Sequence, residues 1–393
     1  MASLLLAIIY LAFISLGLPD GLLGAAWPSM YPQMGVSVGS AGIVSMTIAA
    51  CTVISSLMSE RVIRRFGTGK VAAVSTLMTA LGLFGFSFSS QFWMLLVFAL
   101  PYGLGAGSID AALNNYVALH YEARHMSWLH CFWGLGASIG PYIMGFALQG
   151  GSGSWPLGYQ IIGGIQAVLT AFLFFSLPLW KKDIAAESDG NPPVHLSLRE
   201  IFAISGAKQL FIAFFCYSAI ETGTGLWAAS YMVQYRGISE SDAASWAALF
   251  YFGVMLGRGI SGFVTGKLGD RKMIRIGQIV ILAGILLLAI PGPAMLVCAG
   301  LLVIGLGCAP VYPSIIHSTP DNFGRETSQS IVGVEMACAY CGTTFMPPLI
   351  GLVTSRISMA LYPFALLFFL ILMLVMCEWL FKVKNREKAA MQK

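Results

Sequence analysis

Five charged side chains of this sequence lie well inside long apolar runs, and they are the first candidates for chemistry. They comprise four acids and one base: Asp20, Asp110, Glu221, Glu335 and Arg258. A charged group inside a lipid bilayer is costly, so an acid kept there is a functional candidate by default. A carboxyl group in apolar surroundings can hold a proton near neutral pH and release it when water reaches it. We therefore predict that Asp20, Asp110 and Glu221 take up and release protons.

The residues around Asp110 add groups that can bind a polar ligand. Asp110 and Asn114 are four residues apart and share one face of a helix, whereas Asn115 lies about 100° further round. A carboxylate accepts hydrogen bonds and an amide both donates and accepts them, which suits the hydroxyl groups of a sugar. We predict Asp110, Asn114 and Asn115 as ligand-binding residues. Polar bonding between helices is the alternative.

Asp20 lies between Pro19 and Gly21. This sequence predicts a local break in the helix, which would free backbone carbonyl groups to line a site. Glu221 occupies the corresponding place in the second half of the chain, and we predict that it contacts the ligand or takes part in coupling.

Four aromatic or imidazole side chains inside the apolar runs are further candidates for ligand binding. Trp27 and Trp227 stand at matching places in the two halves, and His130 and Trp133 lie three residues apart. An aromatic face can stack on the C–H face of a sugar while polar neighbours bind its hydroxyl groups. Core packing is the alternative for Trp27 and Trp227. For His130, ligand contact, proton relay and a satisfied buried histidine all stay open.

Arg258 and Glu335 lie at similar predicted depths in their apolar runs, about 11 Å from the same membrane face by helix rise. We predict an ion pair between them that neutralises both charges, a structural role.

The composition defines the solvent of the chain. Charged residues make up 10% of its 393 residues and apolar residues 57%, whereas soluble domains carry about 25% charged residues. This excludes a disordered chain, a coiled coil and an ordinary soluble enzyme, and it indicates a lipid bilayer as the main partner. The net charge of +5 concerns membrane orientation, so no nucleic acid partner is expected. Neither a metal nor a cofactor is expected, because no metal-site motif or P-loop occurs.

Twelve apolar runs are long enough to cross a membrane as helices. Their predicted bounds are Leu4–Met30, Val38–Met58, Val71–Phe88, Phe92–Leu119, Met126–Leu148, Leu157–Trp180, Lys208–Met232, Ala243–Thr265, Ile274–Ile290, Ala294–Ile316, Ser328–Thr354 and Leu361–Phe381. The predicted fold class is therefore an all-α integral membrane protein with twelve transmembrane helices.

The basic residues predict the orientation of these spans. With both termini in the cytoplasm, nineteen Lys and Arg residues fall in cytoplasmic segments, against two, Arg236 and Arg356, outside. This bias is the positive-inside pattern of a multi-pass cell-membrane protein. A polar linker at 181–206 separates a six-helix bundle at 1–180 from a second at 207–382, and a cytoplasmic tail follows at 383–393.

The two halves resemble each other, which predicts two pseudo-symmetric bundles. Three sets of motifs match at offsets of 202, 202 and 206 residues: Gly103–Gly105 with Gly305–Gly307, Phe66–Lys70 with Leu268–Lys272, and Gly136, Pro141 and Gly145 with Gly342, Pro347 and Gly351. A parallel repeat of six helices with a ligand site near the bilayer midplane is the architecture of major facilitator transporters.

Over essentially its whole length the chain resembles the major facilitator superfamily. Leu18–Gly24, Gly105–Asn114 and Leu129–Ala137 further resemble the fucose permease-like sugar–proton symporters. In that family an acid in helix 1 and an acid in helix 4 serve proton coupling and sugar binding, and the corresponding positions here are Asp20 and Asp110. The resemblance implies a transporter, expected as a monomer, that moves a small polar solute, a monosaccharide, together with protons.

Other functions fit the sequence less well. Gly35–Gly39 and Gly136–Gly140 match the G-x-S-x-G pattern of serine hydrolases, but neither has the strand–turn–helix context that exposes a nucleophile. In the second segment, Gly136 and Gly140 instead predict a close helix-packing face. A receptor is disfavoured by twelve spans and an internal repeat. Within transport, sodium-coupled sugar symport and proton-driven export of amphipathic compounds stay open.

Overall fold

The computed structural model describes residues 2–120, 123–151, 154–180 and 197–391, and all regular structure in these residues is helical. The α-helices there are α1 (Ala2–Gly17), α2 (Leu22–Gln33), α3 (Ala41–Phe66), α4 (Thr68–Ser87), α5 (Phe92–His120), α6 (Ala123–Leu148), α7 (Trp155–Ser176), α8 (Leu198–Ala203), α9 (Ala207–Gln234), α10 (Glu240–Leu268), α11 (Asp270–Ala289), α12 (Ala294–Phe323), α13 (Arg325–Arg356) and α14 (Tyr362–Met391).

Twelve of the helical stretches in the described residues are long and apolar enough to cross a membrane. The helices α1 and α2 together form the first stretch, and each later helix except the six-residue α8 forms one more. The predicted all-α class with twelve spans is confirmed. Several helices continue beyond the apolar runs, because a helix ends where its capping signals lie and not where hydropathy falls. For example, α11 begins at Asp270, directly after Gly269 with its positive φ of 75°.

The last helix extends through the segment predicted as a tail. Although residues 383–393 are polar, α14 runs to Met391. Lys384 is buried, with its Nζ 4.3 Å from the centre of the Phe323 ring and 2.9 Å from the Glu387 carboxylate. A cation over an aromatic face and an ion pair at i, i+3 both stabilise this last turn.

The chain divides into two compact units. Unit 1 comprises Met1–Ala186, Gly225–Phe252 and Pro347–Ala360, and unit 2 comprises Glu187–Thr224, Gly253–Met346 and Leu361–Lys393. The helices α9, α10 and α13 each contribute residues to both units. Residues 181–196 of the predicted linker lie outside the described part of the chain, so the predicted bundle bounds at 180 and 207 stay a prediction.

Close helix packing in unit 1 depends on glycine. A Cβ atom on Gly136 or Gly140 of α6 would fall on the carbonyl oxygen of Ile14 or Leu18, at the end of the first helix. A Cβ on Gly17 would in turn meet the backbone of Trp133. The predicted glycine packing face on α6 is present, and it holds the first helix against the backbone that carries Trp133.

The part of the linker that the structure describes forms the short helix α8. Ser197 and Glu200 form a capping box, in which the Ser197 backbone N–H donates to Glu200 Oε2 at 2.7 Å. Hydrogen bonds from the side chain and backbone of Ser197 hold the pKa of the exposed Glu200 carboxyl below its ordinary value.

Candidate functional site

The first membrane span is broken at Asp20, as the sequence predicts. The helix α1 ends at Gly17 and α2 begins at Leu22, and Gly21 between them has a φ of 75°, in the left-handed region. Because Pro19 has no N–H, the carbonyl of Ser15 lacks its usual helical partner. Gln166 of α7 donates from Nε2 to that carbonyl at 2.5 Å and accepts from the Ser15 hydroxyl at 2.7 Å. This freed carbonyl therefore anchors α7 and does not line a site.

The broken segment presents the Asp20 carboxylate to a tryptophan of α6. Trp133 donates from Nε1 to Asp20 Oδ2 at 2.8 Å, and both side chains are partly exposed. An indole ring has one N–H group, which can only donate. Because that group points at the Asp20 carboxylate, this bond sets the orientation of the Trp133 ring. The structure thus brings together two residues predicted separately, Asp20 of the first span and Trp133 of α6.

Tyr251 of α10 completes this group, and sequence reasoning missed it. Its ring lies 6.4 Å from the Trp133 ring, centre to centre, at an interplanar angle of 76°. Gly21 and Gly225 leave room for the phenol, because a Cβ atom on either residue would collide with the Tyr251 ring or hydroxyl. The two glycines are visible in the sequence, but nothing in their spacing points to a tyrosine of another span. We call Asp20, Trp133 and Tyr251 the helix-break cluster.

Asp110 and Asn114 share a face of α5, as predicted. Asn114 donates from Nδ2 to Asp110 Oδ1 and to the Asp110 carbonyl, each at 2.9 Å. The second contact is a main-chain back-bond, so the amide is already oriented by its own helix. Asn115, the third residue predicted here, has a side chain outside the described part of the structure.

His130 is partly buried in α6. Its ring meets the Phe13 ring edge-on, with 6.0 Å between the ring centres. This contact is compatible with all three roles predicted for His130.

Trp27 and Trp227, which are predicted as ligand contacts, are packed in the interior in this conformation. Both side chains are 0% exposed. Trp27 donates from Nε1 to the Val38 carbonyl at 2.6 Å, and Trp227 donates to the Pro347 carbonyl at 2.9 Å. Their single donors are occupied and their side chains are covered, which fits core packing, and their contact with a ligand stays a prediction.

The ion pair of unit 2 differs from the predicted one. Arg258 Nη2 lies 3.7 Å from Glu221 Oε1, and both side chains are about one-fifth exposed. Glu335 is instead fully buried and bonds to Thr319 at 3.1 Å. Equal depth along two helices does not fix the direction in which each side chain points, which is why the predicted partner of Arg258 was wrong.

Several contacts within unit 1 join segments that are far apart in the sequence. Ser29 of α2 donates to Glu240 Oε2, at the start of α10, at 2.5 Å. A Cβ atom on Gly24 would collide with the backbone of Leu226, and one on Gly42 with the backbone of Pro348. Segments from the first and second halves of the sequence are therefore closely packed here.

The G-x-S-x-G segment of α6 is not a hydrolase site. Residues 136–140 lie inside the continuous helix α6, and Ser138 is buried and donates to the Gly134 carbonyl at 2.7 Å. A hydroxyl bonded back to its own helix is not presented as a nucleophile.

A twelve-span helical protein with an acid at a broken membrane helix has the features of a secondary transporter. The chain belongs to the major facilitator superfamily, whose family model matches residues 9–237 and 210–391, and the protein is a transporter and not an enzyme. It is 24% identical to Bypass of stop codon protein 6 of Saccharomyces cerevisiae, over 93% of this chain and 80% of that protein. It is 22% identical to the glucose/mannose transporter GlcP of Bacillus subtilis, over 65% of each chain. The crystal structure of the nucleoside transporter NupG shares the fold, with a TM-score of 0.77 at 14% identity, over 96% of this chain and 98% of that one.

Proposed function

We propose that this transporter carries a monosaccharide into the cell together with protons, by alternating access. The observation that carries the proposal is the helix-break cluster, in which the Asp20 carboxylate at a gap in a membrane helix accepts from Trp133 beside Tyr251. A carboxylate flanked by two aromatic rings has the chemistry of a sugar site: the rings cover C–H faces and the oxygens accept from hydroxyl groups.

The comparison with GlcP supports a sugar as the cargo, since that relative is named as a glucose and mannose transporter. The acid–amide pair Asp110 and Asn114 adds hydrogen-bonding groups of both kinds on α5. In our proposal, protonation of Asp110 weakens its hold on the amide of Asn114 and frees that amide for the cargo. Glu221 acts similarly in unit 2, where neutralising the carboxyl group would release Arg258.

Transport by purified protein in liposomes tests the proposal. With glucose and mannose as probes, we expect uptake driven by an inwardly directed proton gradient, accompanied by alkalinisation outside, with no requirement for sodium. Uptake that follows a sodium gradient and ignores pH would replace protons by sodium as the coupling ion. Absence of transport for both sugars together with proton-driven efflux of amphipathic compounds would reject the sugar proposal.

The hydrogen bond between Trp133 and Asp20 provides a sharper test. Trp133→Phe keeps an aromatic ring next to Tyr251 but removes the N–H that orients the Asp20 carboxylate. Loss of a hydrogen bond to a charged group costs about 1.5–3 kcal/mol, so we expect the KM for the sugar to rise about 10- to 150-fold. Initial uptake rates measured across a range of sugar concentrations would show this.

Trp155→Phe is the matched control, because Trp155 also donates from its indole, to Gln33 at 3.0 Å, away from Asp20. We expect the KM of that variant to stay within about twofold of the original. Equal effects of the two substitutions would mean that the bond to Asp20 has no special part in binding.

We also propose that the protein lies in the cell membrane as a monomer with both termini in the cytoplasm. The support for this orientation is the distribution of Lys and Arg, nineteen against two. Protease accessibility of a C-terminal tag in sealed right-side-out vesicles distinguishes the two orientations.

A further inference from the structure

Glu335 of α13 is buried in unit 2 and has one unusual neighbour. Its side chain is 0% exposed, and its Oε1 atom has no hydrogen-bond partner among the described residues. Its Oε2 atom lies 3.1 Å from the Thr319 hydroxyl of α12. That hydroxyl also lies 3.2 Å from the Ile315 carbonyl, one helical turn before it.

The hydrogens available to these groups decide which form of the carboxyl group fits. A threonine hydroxyl has a single hydrogen and can donate it once, although it can accept further bonds. If Thr319 donates to the Ile315 carbonyl, its oxygen must accept from Glu335, and only a protonated carboxyl group can donate. A chain from Glu335 to Thr319 to Ile315 satisfies both short contacts at once. An ionised Glu335 would leave one of them without a hydrogen.

Among the described residues, Glu335 forms no ion pair that would stabilise its ionised form. On α10, Arg258 lies next to Glu221. Cys338, one turn further along α13, interacts electrostatically with Glu335. The side chains of Arg325 and Glu326, at the start of α13, lie outside that part. A buried carboxylate without a partner is strongly disfavoured, whereas the neutral acid is tolerated.

We propose that Glu335 is a proton-binding site of unit 2 and that its proton is bound in this conformation. The proton sits on Oε2, and this O–H group donates a hydrogen bond to the Thr319 hydroxyl oxygen. The site is separate from Asp20 and Asp110 in unit 1, and it does not depend on which cargo the protein carries.

Infrared difference spectroscopy of the purified protein tests this without any transport assay. At neutral pH we expect a C=O stretching band of a protonated carboxyl group that disappears in Glu335→Gln. Glu378→Gln is the matched control, because Glu378 forms an ion pair with Arg275, with Arg275 Nη2 2.8 Å from Glu378 Oε2, and should leave the band unchanged. An unchanged band in Glu335→Gln would show that Glu335 is ionised and would overturn the proposal.

A second variant covers the case in which Glu335→Gln does not fold. Thr319→Val keeps the shape of the side chain but removes the oxygen that accepts the hydrogen bond from the protonated Glu335. In an otherwise unchanged protein, we expect the carboxyl band to persist and to shift to higher frequency. A band that does not move in Thr319→Val would contradict a bond from the Glu335 proton to this hydroxyl.

Discussion

Asp110→Asn is expected to abolish proton-coupled sugar uptake, lowering the initial rate more than 100-fold. Asparagine has the shape of the neutral acid, so the α5 backbone and its contact with Asn114 can persist, but the side chain cannot take up and release a proton. Proton-coupled uptake then lacks the side chain that carries the proton, whereas the protein can still bind the sugar. We therefore expect sugar-for-sugar exchange, which needs no net proton movement, to be retained within about tenfold. Uptake with a pH gradient and exchange without one can be measured in the same liposomes.

Asp321→Asn is the appropriate control for this substitution, since Asp321 is an exposed acid near the end of α12. We expect normal proton-coupled uptake from it. If Asp110→Asn still alkalinises the outside medium on addition of sugar, Asp110 is not the coupling residue. If exchange is lost together with uptake, the residue is needed for binding and its assignment to coupling alone is wrong.

Gly136→Ala is expected to destabilise the protein strongly, although alanine favours helices over glycine by about 0.8–1 kcal/mol. The new methyl group would lie on the carbonyl oxygen of Ile14, which is backbone and cannot rotate away. Separating two packed helices costs about 1–3 kcal/mol or more, so the steric effect exceeds the gain in helix propensity. A lower melting temperature in detergent would show the net loss.

Gly164→Ala is a Gly-to-Ala substitution in the same protein that is expected not to lower its stability. Gly164 lies inside α7, and an added Cβ would meet nothing within 4 Å. We expect this variant to be as stable as the original or slightly more stable, because only the propensity term remains. Equal melting temperatures for the two alanine variants would contradict the packing of α6 against the first helix.

The sequence was sufficient for features that depend on one helix at a time. The twelve spans follow from hydropathy, and the break at Asp20 follows from Pro19 and Gly21. The shared face of Asp110 and Asn114 follows from helical periodicity alone. These properties are local, so no knowledge of neighbouring helices was needed.

Side-chain contacts between different helices were harder to predict from the sequence. The sequence placed Arg258 and Glu335 at one depth, but the rotation of each helix about its axis directs Arg258 to Glu221. Tyr251 looked like one more aromatic residue in an apolar run, and only packing places it beside Trp133. For the tryptophans, aromatic side chains serve binding and packing alike, so residue type could not separate the two roles.

The points at which the chain passes from one unit to the other have a mechanical consequence. Three of them fall inside α-helices, at Gly225 in α9, Gly253 in α10 and Pro347 in α13. Proline removes one main-chain hydrogen bond, and Pro348 beside it removes a second, while glycine lacks the side chain that stiffens a helix. At each of these three positions a bend therefore requires less elastic energy than at an ordinary helical residue. Substitutions that stiffen them, such as Pro347→Ala, would act on how fast the helices flex and not on what the protein binds.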